Sequence, residues 1–315
     1  MDFILCGAGK RGKELYSFLK YFLEARNIGK VIGFVDSNPQ VDVIEGVPVF
    51  LPKKLEDHDR ELTYIITPSN NDIIKFYKSR LRGKNYFIYK DLEHLANYFK
   101  MDITSMRREI CAYWHVDNMD GYFDEAESDE SLSEFWGESS EFKKFFDCLD
   151  LTNVIELACG RGRHVKEYVD RSGHVTVVDI LQKNIDYCKE RYRDNSNISY
   201  YKNEGYNLVD LPSDTYTSLF CYDAMVHFEM LDINSYLIDI FRVLKRGGKV
   251  LLHHSNFDAY YDGSYTHDSV HGRTFMNYKV FAYLALNAGF QVVKQQIIPW
   301  GGLPNLDCIT LLEKK

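Results

Sequence analysis

Twice in this chain a short apolar, β-rich run breaks off in a glycine turn and leads straight into a helical pattern. The first case is Phe3–Cys6, then Gly7 to Gly12, then Leu15, Phe18, Leu19, Phe22 and Leu23 on one helical face. The second is Val154-Ile155-Glu156-Leu157-Ala158-Cys159-Gly160-Arg161-Gly162-Arg163-His164. In both regions strands and helices then keep alternating. That order implies an α/β fold with a mainly parallel sheet in each half.

Three segments follow from this reading. Residues 1–100 form a small α/β domain. Its further strands are Val31–Val35, ending at Asp36, then Tyr64–Thr67 and Tyr86–Tyr89, with Ser37-Asn38-Pro39 as a turn and a helix from Asn71. Residues 101–150 form an acidic linker and helical lid. From Asp117 to Glu134 there are eight acids and no Lys or Arg, with Tyr122, Phe123, Phe135 and Trp136 among them as anchors. Residues 151–315 hold strands near 153–158, 174–179, 198–201, 217–222, 248–254, 290–298 and 306–313, with helical patterns between the first five. The last two flank Pro299-Trp300-Gly301-Gly302 and should close the sheet as an antiparallel hairpin.

Bulk properties exclude several classes. The net charge is -8, with Asp+Glu 46 against Lys+Arg 38, which gives no electrostatic case for nucleic acid. The Cys count of 7 is odd and contains no C-x-x-C pair, so a disulfide framework or zinc cassette is not expected. The chain begins without a basic, apolar leader and has no run long enough to span a bilayer. The expectation is a reducing cytoplasm and no membrane insertion.

The second glycine turn carries the chemistry. Glycine tolerates positive φ and lets a ligand approach the backbone. An acid, Glu156, just before the turn favours an amine-bearing ligand over a diphosphate. The next strand ends at Asp179-Ile180, where an acid can accept ribose hydroxyls.

This stretch resembles motif I of the class I S-adenosylmethionine methyltransferases, E/D-x-G-x-G-x-G. Here it reads Glu156-x-Ala158-x-Gly160-x-Gly162, with Ala in place of the first Gly. Asn203-Glu204-Gly205 resembles the family's N-D-G turn, whose acid meets the adenine amino group. Phe220-Cys221-Tyr222-Asp223-Ala224-Met225-Val226-His227 resembles the fourth-strand motif that borders the methyl group. Val243–Val250 resembles the turn into strand five. The resemblance covers roughly residues 130–315. It implies a seven-stranded Rossmann-like sheet with a closing hairpin and S-adenosylmethionine as methyl donor. The implied donor contacts are Glu156, Ala158, Gly160, Gly162, His164, Asp179, Ile180, Asn203, Glu204, Gly205 and Tyr222.

Methyl transfer is an in-line displacement that needs positioning. A hydroxyl acceptor also needs a base or a metal. Asp223 and His227 follow strand four, and His227 reads equally well as a packing histidine. His253-His254-Ser255-Asn256 ends strand five, and strand alternation sends one histidine inward and one outward. His254 is taken as the one in the site. The next loop carries Tyr260, Tyr261, Tyr265, His267, Asp268, His271 and Arg273. A metal set of His254, Asp258, His267 and His271 has no diagnostic spacing, and no metal is assigned.

The His253–Asn256 run, the Arg-bearing loop, Gln296–Trp300 and Leu306-Asp307-Cys308 are together similar to a bacterial subgroup linked to surface polysaccharide. That likeness implies O-methylation of a sugar or of a substituent such as a phosphoramidate. The acceptor would be a small molecule or glycan, nucleotide-linked or free. A small-molecule N-methyltransferase is the alternative.

In the first domain, Gly7-Ala8-Gly9-Lys10-Arg11-Gly12 with Asp36 matches G-x-G-x-x-G plus a ribose acid. With Val31–Pro39 and Gly46-Val47-Pro48-Val49 it resembles the nucleotide-sugar-binding domain of bacterial sugar acetyltransferases. The competing readings are a module kept for dimerisation or docking, an NAD-dependent oxidoreductase using this domain, and a non-catalytic scaffold. Whether the chain forms a homo-oligomer is left open.

Overall fold

The computed structural model describes residues 1–56, 61–117, 122–260 and 273–315. The chain divides into two compact units, Met1–Tyr113 and Trp114–Lys315. Among the described residues no helix is long and apolar enough to cross a membrane.

The first unit holds a six-stranded sheet. Its strands are β1 (Asp2–Cys6), β2 (Lys30–Val35), β3 (Val43–Ile44), β4 (Val47–Phe50), β5 (Thr63–Ile66) and β6 (Asn85–Ile88), in the order β3-β4-β2-β1-β5-β6. All pairs are parallel except β3 with β4. That hairpin was not foreseen as strand. Glu45 and Gly46 both take positive φ, 45° and 80°, which a tight two-residue hairpin turn demands. Helix α1 (Lys10–Ala25) buries Leu15, Phe18, Leu19, Phe22 and Leu23 against β1 and β2, as the spacing predicts. Asn70 caps α2 (Asn71–Arg80) by accepting from the amides of Asp72 and Ile73. Helix α3 (Leu92–Phe99) and α4 (Ile103–Asp117) close the core through Leu95, Met106 and Tyr113. Residues up to Tyr113 thus pack with the first unit.

The second unit opens with three short helices, α5 (Tyr122–Ala126), α6 (Asp129–Trp136) and α7 (Glu141–Phe146). Its sheet comprises β7 (Asn153–Leu157), β8 (His174–Asp179), β9 (Ile198–Lys202), β10 (Tyr216–Cys221), β11 (Leu244–Ser255), β12 (Phe290–Trp300) and β13 (Leu303–Lys314). The order is β12-β13-β11-β10-β7-β8-β9. Six strands run in one direction, and β13 runs antiparallel between β11 and β12. This is the seven-stranded sheet with a closing hairpin that the sequence implied.

One expectation needs correction. Helices α8 (Val165–Tyr168), α9 (Gln182–Arg191) and α10 (Met230–Val243) lie between strands, but no helix joins β9 to β10. Side chains of α10 hold that loop instead. Asp239 accepts from the Leu208 amide at 2.7 Å, and Arg242 donates to the carbonyls of Leu208 and Leu211. These bonds replace the ones a helix would have made within itself. Helix α11 (Tyr278–Asn287) packs beside α10 and β12.

Candidate active site

The parallel strands of the second unit all end at one sheet edge, where open α/β sheets bind ligands. The glycine turn after β7 sits there. Three of its residues are left-handed: Ala158 at φ 58°, Gly160 at 55° and Gly162 at 74°. Ala158 shows why a glycine is usual at its position, since a Cβ in this region costs about 1 kcal/mol. Gly162 has a packing reason as well. A Cβ there would lie 2.9 Å from Tyr192 and 3.1 Å from the Cys188 sulfur. A Cβ on Gly160 would press on the Phe123 ring at 3.3 Å.

Asp179, at the end of β8, clamps this turn. Its Oδ1 accepts from the Leu181 amide at 2.8 Å and from Asn184 Nδ2 at 3.0 Å. Its Oδ2 accepts from the Gly160 amide at 2.9 Å. A carboxylate offers about four acceptor positions, so Oδ2 keeps one for a hydroxyl. Burial raises its pKa to about 6, against the lowering effect of those bonds. Glu156 is only 2% exposed, accepts from the Tyr168 hydroxyl at 2.6 Å, and is pushed by burial to about 8. It supports the turn from within the sheet. Ile180 is half-buried beside Asp179.

Beyond β9, Asn203 turns inward. It donates to the Asn207 carbonyl and to the Tyr236 hydroxyl, and accepts from the Gly205 amide. Glu204 is exposed and bonds the Asn207 amide group, so it is the side chain of this trio that faces solvent.

Beyond β10, Tyr222 is buried against Phe142, with ring centroids 4.2 Å apart. Asp223 adopts φ 54° and its carboxylate meets Arg163 at 2.9 Å. Arg163 comes from the glycine turn, so the two ends of the site are tied together. His227 lies half-buried in the 3-10 turn Met225–His227.

Two histidine assignments are corrected. His254 faces the core of the sheet, not the site. It stacks on Phe281 at 3.7 Å, bonds the Ser255 carbonyl and Thr310 through its two nitrogens, and is pushed by burial to about 3. With both nitrogens bonded and its basicity lowered by burial, this imidazole is not available as a base. The neighbouring His253 is the one near the site. Its Nδ1 accepts from the Asp223 amide at 3.1 Å, which leaves Nε2–H to donate to Asp307 at 3.1 Å. Asp307 in turn accepts two bonds from Arg273. Burial pushes Asp307 up, but the bonds from His253 and Arg273 outweigh it and hold the carboxyl below its usual value. His164, expected among the donor contacts, is also buried. Its Nδ1 accepts from Trp136 at 3.1 Å, and burial keeps the ring neutral.

The acidic segment packs over the glycine turn. Arg161 lies 4.3 Å over the Phe123 ring, and Arg191 pairs with Glu127 at 2.9 Å. Phe135 meets Tyr222 at 5.3 Å. Beside Tyr222 a cleft of 380 Å³ opens, walled by Phe135, Tyr222 and Trp300 with Glu134 and Glu141 also lining it.

Residues Tyr261, Tyr265, His267, Asp268 and His271 lie outside the described residues, as does the Tyr260 side chain. Asp258 is exposed and bonds Asn277. Among the described residues no group of three or more His, Cys, Asp or Glu is placed to hold a metal.

Sequence reasoning did not single out the Arg163–Asp223 tie or the chain from His253 through Asp307 to Arg273. Arg163 stands inside the glycine motif, but only the fold shows that it reaches across to β10. Asp307 is registered against Ser255 across the sheet, a relation that chain spacing does not carry.

Residues 154–248 match the family model described as a methyltransferase domain. Geranyl diphosphate C-methyltransferase from Streptomyces coelicolor is similar in structure, with TM-score 0.50, 12% identity, and coverage of 66% of this chain and 98% of that one. An S-adenosylmethionine-dependent methyltransferase from Mesorhizobium loti gives 0.48 at 14% identity over 55% and 97%. Protein PH0226 from Pyrococcus horikoshii gives 0.45 at 20% identity over 64% and 95%. No curated protein sequence matches the chain significantly. The second unit carries a methyltransferase domain. The open acceptor position on Asp179 suits a donor with ribose hydroxyls.

Proposed function

We propose that the chain O-methylates a sugar, free or within a surface polysaccharide. The observation that carries this reading is the aromatic cleft beside Tyr222, next to the sheet edge proposed to bind the donor. Flat rings that pack on the apolar face of a sugar, with carboxylates for its hydroxyls, are what such an acceptor requires.

The donor supplies a methyl group activated on a sulfonium. In this proposal the protein's own residues position and deprotonate. Asp179, Gly160 and Glu204 hold the donor's nucleoside part. Tyr222 shapes the boundary to the acceptor. Arg163 and His253 hold Asp223 in place, and His227 takes the acceptor proton. The first unit is proposed to hold a nucleotide-linked form of the acceptor at Gly7, Gly9, Lys10, Arg11 and Asp36. There the ends of β1 and β5 form a switch point flanked by the starts of α1 and α2.

The test is to incubate the full chain with S-adenosylmethionine and a panel of free and nucleotide-linked sugars, and to follow methyl addition by mass spectrometry. Methylation of an amine with no methylation of a sugar hydroxyl would replace this reading with the N-methyltransferase one. His227→Asn should lower kcat at least about tenfold with little change in KM.

A further inference from the structure

The charged residues that line the cleft beside Tyr222, Glu134 and Glu141, are both acids. Glu134 is exposed and has no ion-pair partner among the described residues, while Glu141 pairs outward with Lys144 at 2.7 Å. No Lys, Arg or His lines the cleft among the described residues. Its three rings stand close together. Phe135 and Tyr222 are 5.3 Å apart, and Trp300 is 6.3 Å from each.

Two of these rings rest on a buried polar chain. His253 lies 4.5 Å from Tyr222 and 5.0 Å from Trp300, and Arg273 sits 5.6 Å over Trp300. Both His253 and Arg273 are bonded to Asp307, and His253 and Asp307 are fully buried. Removing such groups from water is costly. The arrangement holds the two rings at defined positions rather than leaving them as loose surface aromatics.

We propose that this cleft binds a protonated amine on the acceptor, so that the sugar recognised is an amino sugar rather than a uronate. The inference rests on the sugar-methyltransferase reading above and names its substrate class. Aromatic faces attract cations, and an unpaired carboxylate adds a direct charge partner. The same carboxylate repels an acidic sugar.

The experiment is a tryptophan-fluorescence titration of the full chain with glucosamine, glucose and glucuronate, with Trp300→Phe as the control for where the signal arises. Glucosamine should bind about tenfold tighter than glucose, and glucuronate weakest of the three. Added salt should narrow the gap. Glu134→Gln should bring glucosamine to the level of glucose. Equal or tighter binding of glucuronate would overturn the proposal, as would an unchanged order in Glu134→Gln or no Trp300-dependent signal with any of the sugars. A parallel titration with S-adenosylhomocysteine separates the two ideas. Donor binding without sugar discrimination sinks the cleft proposal alone, and sugar discrimination without donor binding sinks the methyltransferase reading.

Discussion

The two glycine turns of this chain repeat the same small device. In the first unit Asp36 accepts from the Ala8 amide at 2.8 Å and from the amide two residues after itself, Asn38. In the second, Asp179 accepts from the Gly160 amide at 2.9 Å and from the amide two residues after itself, Leu181. An acid at the end of one strand thus locks the turn at the end of its neighbour in both units. The surroundings differ. Asp179 is 6% exposed, has a third donor in Asn184 and sits under a turn covered by Phe123. Asp36 is only partly buried, and the Lys10 side chain that follows the turn is 91% exposed. A strand–glycine–helix–acid motif is therefore first a way to brace a parallel sheet. What covers the turn decides whether it also encloses a ligand.

The largest test of that contrast is donor binding. Asp179→Ala should weaken S-adenosylhomocysteine by about 10- to 100-fold in calorimetry, the scale of a lost charged hydrogen bond. Asp36→Ala should leave that affinity unchanged. If the two variants lost donor binding equally, the division of roles between the units would collapse.

Backbone substitution should separate the turns next. Gly162→Ser forces a side chain into a left-handed position 2.9 Å from Tyr192 and should cost about 2–3 kcal/mol in denaturant unfolding. Gly9 has negative φ, opens onto free space and begins α1. Gly9→Ser should leave stability unchanged or raise it by a few tenths of a kcal/mol through capping. A large loss at Gly9 would show that the first turn is as tightly built as the second.

A third test is the pH dependence of stability. Burial raises Asp179 from 3.8 to about 6 and Glu156 from 4.5 to about 8. The unfolded chain gives up these protons first, so stability falls as pH rises through that window, and the full cost is present above about 8. Asp179→Asn should flatten the part between 3.8 and about 6. Unfolding midpoints across this range check it. A stability that rose with pH there would mean that both carboxyls are ionised in the folded protein.

Much of the second unit was legible in the chain. Each of its seven strands lies close to its expected position, because buried parallel strands read as apolar runs whatever they pair with. The antiparallel closing pair was legible from Pro299-Trp300-Gly301-Gly302, a local turn signal. The β3–β4 hairpin was missed because its strands are short and half-exposed, so they lack an apolar run. The loop from β9 to β10 was misread as helix because its bonds come from α10, far along the chain.

The histidines mark the boundary most clearly. Alternation said that His253 and His254 face opposite ways, and they do. It could not say which side is the core, because that depends on α11 placing Phe281 over one face and on β13 placing Asp307 beside the other. By itself, then, the sequence determined the α/β class, the strands, the glycine turns and the acids at their edge. Those properties follow from local backbone sterics and the hydrophobic period. Which polar side chains meet was decided only by the tertiary structure. Those contacts join residues whose spacing in the chain carries no trace of the distance between them.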